Sequence, residues 1–160
     1  MEDLHTATRQ YVHLAVLDGT DALGVERISA AAAVSGGVQR RGRLPRHASA
    51  VGQIPLAHAG EAQFAAVVQD GLARLTPGTI TDPATLRLTL AECRRTGVAV
   101  VHEEVSPDAH SVAVPGTGST GRVVAASSVV CAVARTRLLV PAVVPAGRGI
   151  SRGLGASAVP

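Results

Sequence analysis

The sequence predicts an α+β domain with a mainly antiparallel sheet, and three observations carry that expectation. Val12, Leu14 and Val16 alternate up to Asp18-Gly19-Thr20-Asp21, and a half-apolar run from Leu23 to Ile28 follows, which reads as two strands around an Asp-Gly turn. The middle of the chain has helical spacing up to Gly97, after which the apolar period drops to two in valine-rich runs. Strands, then helices, then strands and a last helix place helices against an antiparallel sheet rather than in βαβ units. At 160 residues the chain, 1–160, reads as a single domain able to bury a core without a metal or a disulfide, and a second full domain is excluded.

After the first hairpin, periodicity dissolves between Ser29 and Arg46 into Ala, Gly, Arg and one Pro, a long loop with strand pairing expected near Gln39 to Leu44. Ala48 to Ala57 is helical by composition, but Pro55 removes a backbone hydrogen bond at a cost of about 3 kcal/mol in a helix interior, so a kinked or short helix is expected. Phe64, Val68, Leu72 and Leu75 form one apolar helical face. The clearest helix opens at Asp82-Pro83, with Asp82 as cap and Pro83 in the first turn, and stops at Gly97. Its inner face is Leu86, Leu90 and Cys93, and Arg87, Arg94 and Arg95 point outward.

Val98 to Glu103, Ser111 to Val114 and Val123 to Val130 are strand candidates, the last two joined by the glycine-rich Gly116 to Gly121. Thr136 to Ala156 has helical spacing at Leu139, Val143 and Ile150, interrupted by Pro141, Pro145 and three glycines. It reads as a weak helix that needs tertiary contacts.

Composition removes several functions. All 15 cations are arginine, so lysine imines, a pyridoxal phosphate anchor and a P-loop lysine are excluded. Tyr11 and Phe64 are the only aromatics, which leaves no platform for stacking bases. The pI near 9.6 comes from dispersed charge, and only Arg40, Arg41, Arg43 and Arg46 cluster, as a phosphate footprint or a solvated loop. Cys93 and Cys131 sit in apolar segments without CxxC spacing and read as buried reduced thiols. No membrane span or secretory signal is recognisable, so a soluble, cytoplasmic chain with no membrane partner is expected.

Gly116, Gly118 and Gly121 spell GxGxxG, but a β-branched strand follows where a dinucleotide loop must open a helix, so the motif reads as a hairpin turn and no cofactor is expected. His102, Glu103, Glu104 and His110 could form a hydrolytic or metal site, yet the spacing matches no zinc motif, and a strand end running into a polar loop explains them equally. Ser49, Ser111 and Ser128 lack a nucleophile elbow, and neither cysteine has a catalytic motif. No catalytic and no metal-ligating residues are assigned. His47-Ala48-Ser49-Ala50-Val51-Gly52 is different, because a small-residue turn entering a helix leaves free N–H groups at a positive dipole end, where a carboxylate can bind without a cation. An ordinary helix start capped by Ser49 is the other reading.

These residues also carry a resemblance. Val12-His13-Leu14-Ala15-Val16-Leu17-Asp18-Gly19, Leu44-Pro45-Arg46-His47-Ala48-Ser49-Ala50-Val51-Gly52, Leu75 to Pro83, Arg94 to Val98, Glu103-Glu104-Val105-Ser106-Pro107, Ser111-Val112-Ala113 and Gly121-Arg122-Val123-Val124-Ala125-Ala126 resemble, in order, the C-terminal effector-binding domain of IclR-type bacterial transcriptional regulators. The resemblance implies a GAF-like fold, a curved antiparallel sheet flanked by helices, that binds a small, carboxylate-bearing or partly apolar metabolite and assembles as a homodimer or homotetramer. It implies no enzyme activity. The family's DNA-binding winged helix-turn-helix precedes this domain, so sequence-specific DNA binding is not expected of this chain alone.

Carried over by motif, the ligand's carboxylate would meet Ala50 and Val51, further polar contacts would come from Ser111 and Ser128, and Val101 and Val130 would flank the pocket. Val101, His102 and Val130 stand where the family is often more polar, Gln53 replaces a common lysine, and Pro55 and Arg46 are further departures. A dimerising remnant with a closed pocket, and less so a hydrolase using His102, Glu103 or His110, are the alternatives.

Overall fold

The computed structural model describes residues 1–18, 21–28, 42–131 and 136–156. Along these the chain forms α1 (Glu2–Thr8), β1 (Tyr11–Asp18), β2 (Asp21–Ile28), β3 (Arg43–Pro45), α2 (Ala50–His58), α3 (Glu61–Asp70), α4 (Pro83–Thr96), β4 (Ala99–His102), β5 (His110–Thr117), β6 (Val123–Cys131) and α5 (Thr136–Gly153). The strands make one curled sheet in the order β3-β2-β1-β6-β5-β4, with every neighbouring pair antiparallel. The two hairpins meet at β1–β6, so segments more than a hundred residues apart in sequence share the centre of the sheet. This is the α+β, antiparallel architecture expected.

Both faces of the sheet are covered, so strand alternation sends one set of side chains to each layer. Val12, Val112, Val114, Val129 and Cys131 pack with Leu4 of α1 and Leu139 and Val143 of α5. Ala15, Ala22, Ala99, Val101, Ala113 and Ala126 pack with Ile54 of α2, Phe64 of α3 and Leu86 of α4.

The second helix is the hub of that layer: every residue from Ala50 to Ala57 is buried, and the helix continues through Pro55. Packing on all sides offsets the lost hydrogen bond, and at nine residues the helix is short, as composition suggested. The fifth helix forms where expected and with the tertiary contacts it was expected to need. It runs unbroken over 18 residues because Pro141 and Pro145 lie on the exposed face, where water can reach the carbonyls they leave unbonded, while Leu139, Val143 and Gly147 face the sheet. Gly147 is required there, since a Cβ would sit 2.6 Å from Val114 Cγ2.

Asp82 caps α4 as expected, accepting from Thr85 N, and Gly97 ends it at φ 70°. Leu86, Leu90 and Cys93 are buried and Arg87, Arg94 and Arg95 exposed. Other expectations need correction. The third helix stops at Asp70, so Leu72 and Leu75 fall outside it, with Leu75 46% exposed, and Phe64 and Val67 form its buried face. The seven-residue α1, docked through Leu4, was not anticipated from its short polar sequence.

Strand pairing in the long loop falls at Arg43–Pro45, whereas Gln39, Arg40 and Arg41 lie outside the described residues, as do Gly19 and Thr20 of the first turn. Neither reading of the arginine cluster fits Arg46, which is 1% exposed with Nη1 donating to Gln63 Oε1 at 3.0 Å. Gly116 to Gly121 forms the β5–β6 turn, with Gly118 N donating to Arg122 O at 2.9 Å. Cys93 and Cys131 are buried free thiols, and burial pushes the Cys93 thiol up to about 11.

Candidate functional site

At the start of α2 the chain turns sharply. Pro45 O accepts from the backbone N–H groups of Ala48 and Ser49 and from the Ser49 hydroxyl at 2.8 Å. Ser49 then caps the helix, its Oγ accepting from Gly52 N at 3.2 Å and its carbonyl from Gln53 N at 2.8 Å. Gly52 makes this turn possible, because a Cβ there would lie 2.5 Å from Arg46 Cα. The Ala50 and Val51 N–H groups are left without an acceptor among the described residues, at the positive end of a buried helix.

A pocket opens at this helix start. Its walls are His13, Leu44, Ser49, Ala50, Val51, Val101, Val105, Ala109, His110, Ser111, Ser128 and Val130, from five strands or their ends, one helix and the β4–β5 connection. About 430 Å³ of atom-free space lies here, mouth included, of which about 40 Å³ is open to the centres of water-sized molecules. All six residues singled out from the sequence, Ala50, Val51, Val101, Ser111, Ser128 and Val130, line this one pocket. Antiparallel register brings them together: Val101 is opposite Ser111, and Ser111 opposite Val130.

The walls are apolar apart from a few groups. The Ser49 hydroxyl is committed to the cap, whereas no described residue hydrogen-bonds the side chains of Ser111, Ser128 or His13. His13 stands directly opposite Ser128 across β1–β6. Burial, and then the nearby Arg27 charge, push its imidazole down to about 4, so the ring is neutral at physiological pH.

Sequence reasoning missed His13, because alternation in β1 was counted from Val12, which faces α5. The missing signal was that a sheet covered on both faces makes the odd set of β1 an inner set too.

Behind the pocket lies a buried polar cluster. Gln53 Nε2 donates to His47 O at 2.9 Å and to Glu104 Oε2 at 3.4 Å, and the hydroxyl of Thr79 donates to Glu104 O at 2.7 Å. Burial pushes the Glu104 carboxyl up to about 7, since its partner is the neutral Gln53 rather than a cation.

Of the candidate hydrolytic residues, His102, Glu103 and His110 lie together and Glu104 stands apart. His102 Nδ1 and His110 Nδ1 share a hydrogen bond of 2.9 Å, and Glu103 Oε1 is 3.9 Å from His110 Nε2. Alternation puts the His110 ring on the face of Val112 and Val114, so it meets the pocket only where β5 begins, and Glu104 turns away toward Gln53. Among the described residues no three His, Cys, Asp or Glu side chains gather as metal ligands. No described helix is long and apolar enough to cross a membrane.

A family model described as bacterial transcriptional regulator IclR C-terminal matches residues 1–143. Over 129 residues the chain is 33% identical to the HTH-type transcriptional regulator XynR of Escherichia coli, an alignment covering 80% of this chain and 51% of XynR. The chain thus spans about half the length of the curated relatives it matches. An IclR homologue from Microbacterium hydrocarbonoxydans, solved with 4-hydroxybenzoate, superposes at TM-score 0.91 with 38% identity, covering 98% of this chain and 65% of that one. The inducer-binding domain of the PobR transcription factor from Acinetobacter, a double mutant solved with 3-hydroxybenzoic acid, superposes at TM-score 0.82 with 28% identity, covering 95% and 91%. These relatives are transcriptional regulators, not enzymes.

Proposed function

The chain belongs to the IclR family of bacterial transcriptional regulators, matching its C-terminal domain, and on that premise we propose that it senses a small carboxylic acid in the pocket at the start of α2. One observation carries the reading: the N–H groups of Ala50 and Val51 and the hydroxyls of Ser111 and Ser128, none of them hydrogen-bonded among the described residues, open on the same pocket. A carboxylate fits these donors, because it only accepts hydrogen bonds and is favoured at a helix N-terminus. Val51, Val101, Val105 and Val130 would take the apolar remainder of the ligand. The hydroxybenzoates held by two structural neighbours have this build, a carboxylate on an apolar body.

Calorimetric titration with straight-chain carboxylic acids and with benzoate tests the reading. Affinity should rise with chain length by about 0.8 kcal/mol for each CH₂ that becomes buried. The narrow clear space of about 40 Å³ favours one other reading, a dimerising module with a closed pocket. Flat affinity across the series would establish that reading instead.

We assign the whole of 1–160 to one effector domain acting in the cytoplasm as a homodimer or homotetramer. With 46% apolar residues and almost no aromatic bulk, a second copy would complete its exposed faces, so sedimentation at micromolar concentration should show a dimer or larger. By itself this chain should bind DNA without sequence preference, if at all, and salt should abolish the binding.

A further inference from the structure

The carboxylate reading accounts for the N–H groups of α2 and leaves the imidazole of His13 unused. His13 lies on the pocket wall, has no hydrogen-bond partner among the described residues, and stands beside Ser128 in the β1–β6 register. Opposite it on β2 is Arg27, whose guanidinium lies 5.1 Å from the centre of the Tyr11 ring. Burial and that positive charge both oppose protonation of His13.

A neutral imidazole presents one N–H donor and one lone pair. That pattern suits a hydroxyl, which donates and accepts at once. It suits a carboxylate less well, because half of the imidazole's capacity would face an acceptor that gives nothing back. The Ser128 hydroxyl next to it can rotate to complete either role. The pocket therefore has two kinds of polar group, backbone donors at the helix start and a donor–acceptor pair on the sheet.

We propose that His13 is the specificity-determining residue of the pocket, reading a hydroxyl on the effector, so that the preferred effector is a bifunctional acid with its carboxylate on α2 and its hydroxyl at His13 and Ser128. This rests on the carboxylate reading above and narrows it from acids in general to hydroxy acids.

The test is calorimetry on the intact chain with paired probes: benzoate against 3- and 4-hydroxybenzoate, and hexanoate against 6-hydroxyhexanoate. At least one hydroxy acid should bind about tenfold more tightly than its parent, the upper range for one neutral hydrogen bond in a dry site. His13→Phe, which keeps a ring at this position, should cut that preference to less than about twofold. His13→Gln, which keeps a donor and an acceptor, should restore much of it. If His13→Phe does not melt cooperatively, His13→Ala replaces it. A preference that survives loss of the imidazole, or no preference in the unaltered chain, overturns the assignment while the carboxylate reading stands. Absence of binding by every acid removes both.

Discussion

The two faces of the sheet are made by the same strands but with different side chains. Toward α5 the strands present Val12, Val112, Val114 and Val129, and toward α2 they present Ala15, Ala99, Ala113 and Ala126, with Ser111 and Ser128 among them. Valines fill the space between sheet and helix, so that layer closes with few spare polar groups among the described residues, Ser127 Oγ and His110 Nε2 being two of them. Alanines and serines leave room, which α2 uses to bring its N-terminus against the sheet and which the pocket uses as volume. One face is therefore specialised for cohesion and the other for recognition. The buried polar residues Gln53, Glu104 and Ser128 all lie on the second face.

Replacing Gly52 by Ala attacks the recognition face at its tightest point. The new Cβ meets backbone at 2.5 Å, so the start of α2 must shift. Chemical denaturation should show a loss of about 3 kcal/mol, and acid binding should disappear. Val143→Ala attacks the cohesive face instead. It removes a fully buried side chain of α5, and the expected outcome is a loss of about 2 kcal/mol in stability with acid affinity unchanged.

The two faces also differ in how pH acts on them, because the most strongly displaced carboxyl and imidazole among the described residues, Glu104 and His13, both belong to the recognition layer. Glu104, raised from 4.5 to about 7, keeps its proton when folded while the unfolded chain releases it, so its contribution to stability falls as pH rises through that window. His13, lowered from 6.5 to about 4, stays neutral when folded while the unfolded chain takes up a proton, so its contribution is lost as pH falls through that window. The two slopes oppose each other where the windows overlap. Glu104→Gln should stabilise the domain at pH 8 by about 2 kcal/mol, less than the full shift because the amide must also find partners. It should also unmask the His13 slope, visible as stability declining on acidification below pH 6.5.

The finest contrast lies between two adjacent serines. Ser127 is buried on the α5 face with its Oγ unbonded among the described residues, whereas Ser128 faces the pocket. Ser127→Ala should raise stability by about 1 kcal/mol and leave binding alone, since it removes an unsatisfied hydroxyl. Ser128→Ala should leave stability nearly unchanged and weaken acid binding by about 0.5 to 1.5 kcal/mol. Reversal of the two results would mean that the faces have been assigned the wrong way round.

Much of this was legible in the sequence because local chemistry decides it. The Asp82-Pro83 start and Gly97 stop of α4, the hairpin of β5 and β6 and the cap at Ser49 each rest on residues within a few positions of one another. The pocket list drew on the resemblance more than on periodicity, which is why it named motif residues such as Ala50, Val51 and Ser128 and passed over His13 and Leu44.

What only the tertiary structure decided has one physical source, the burial of each element on its neighbours. Pro55 and the pair Pro141 and Pro145 oppose helix locally, and α2 and α5 persist because packing supplies more than the lost hydrogen bonds cost. Arg46 reads as a surface cation until Gln63 and the start of α2 enclose it. His13 reads as an outward residue of a hairpin until β6 lies beside it. Local sequence sets which backbone shapes are available. Whether a residue meets solvent, core or pocket depends on pairings between distant segments, and those form only when the two hairpins join at β1 and β6.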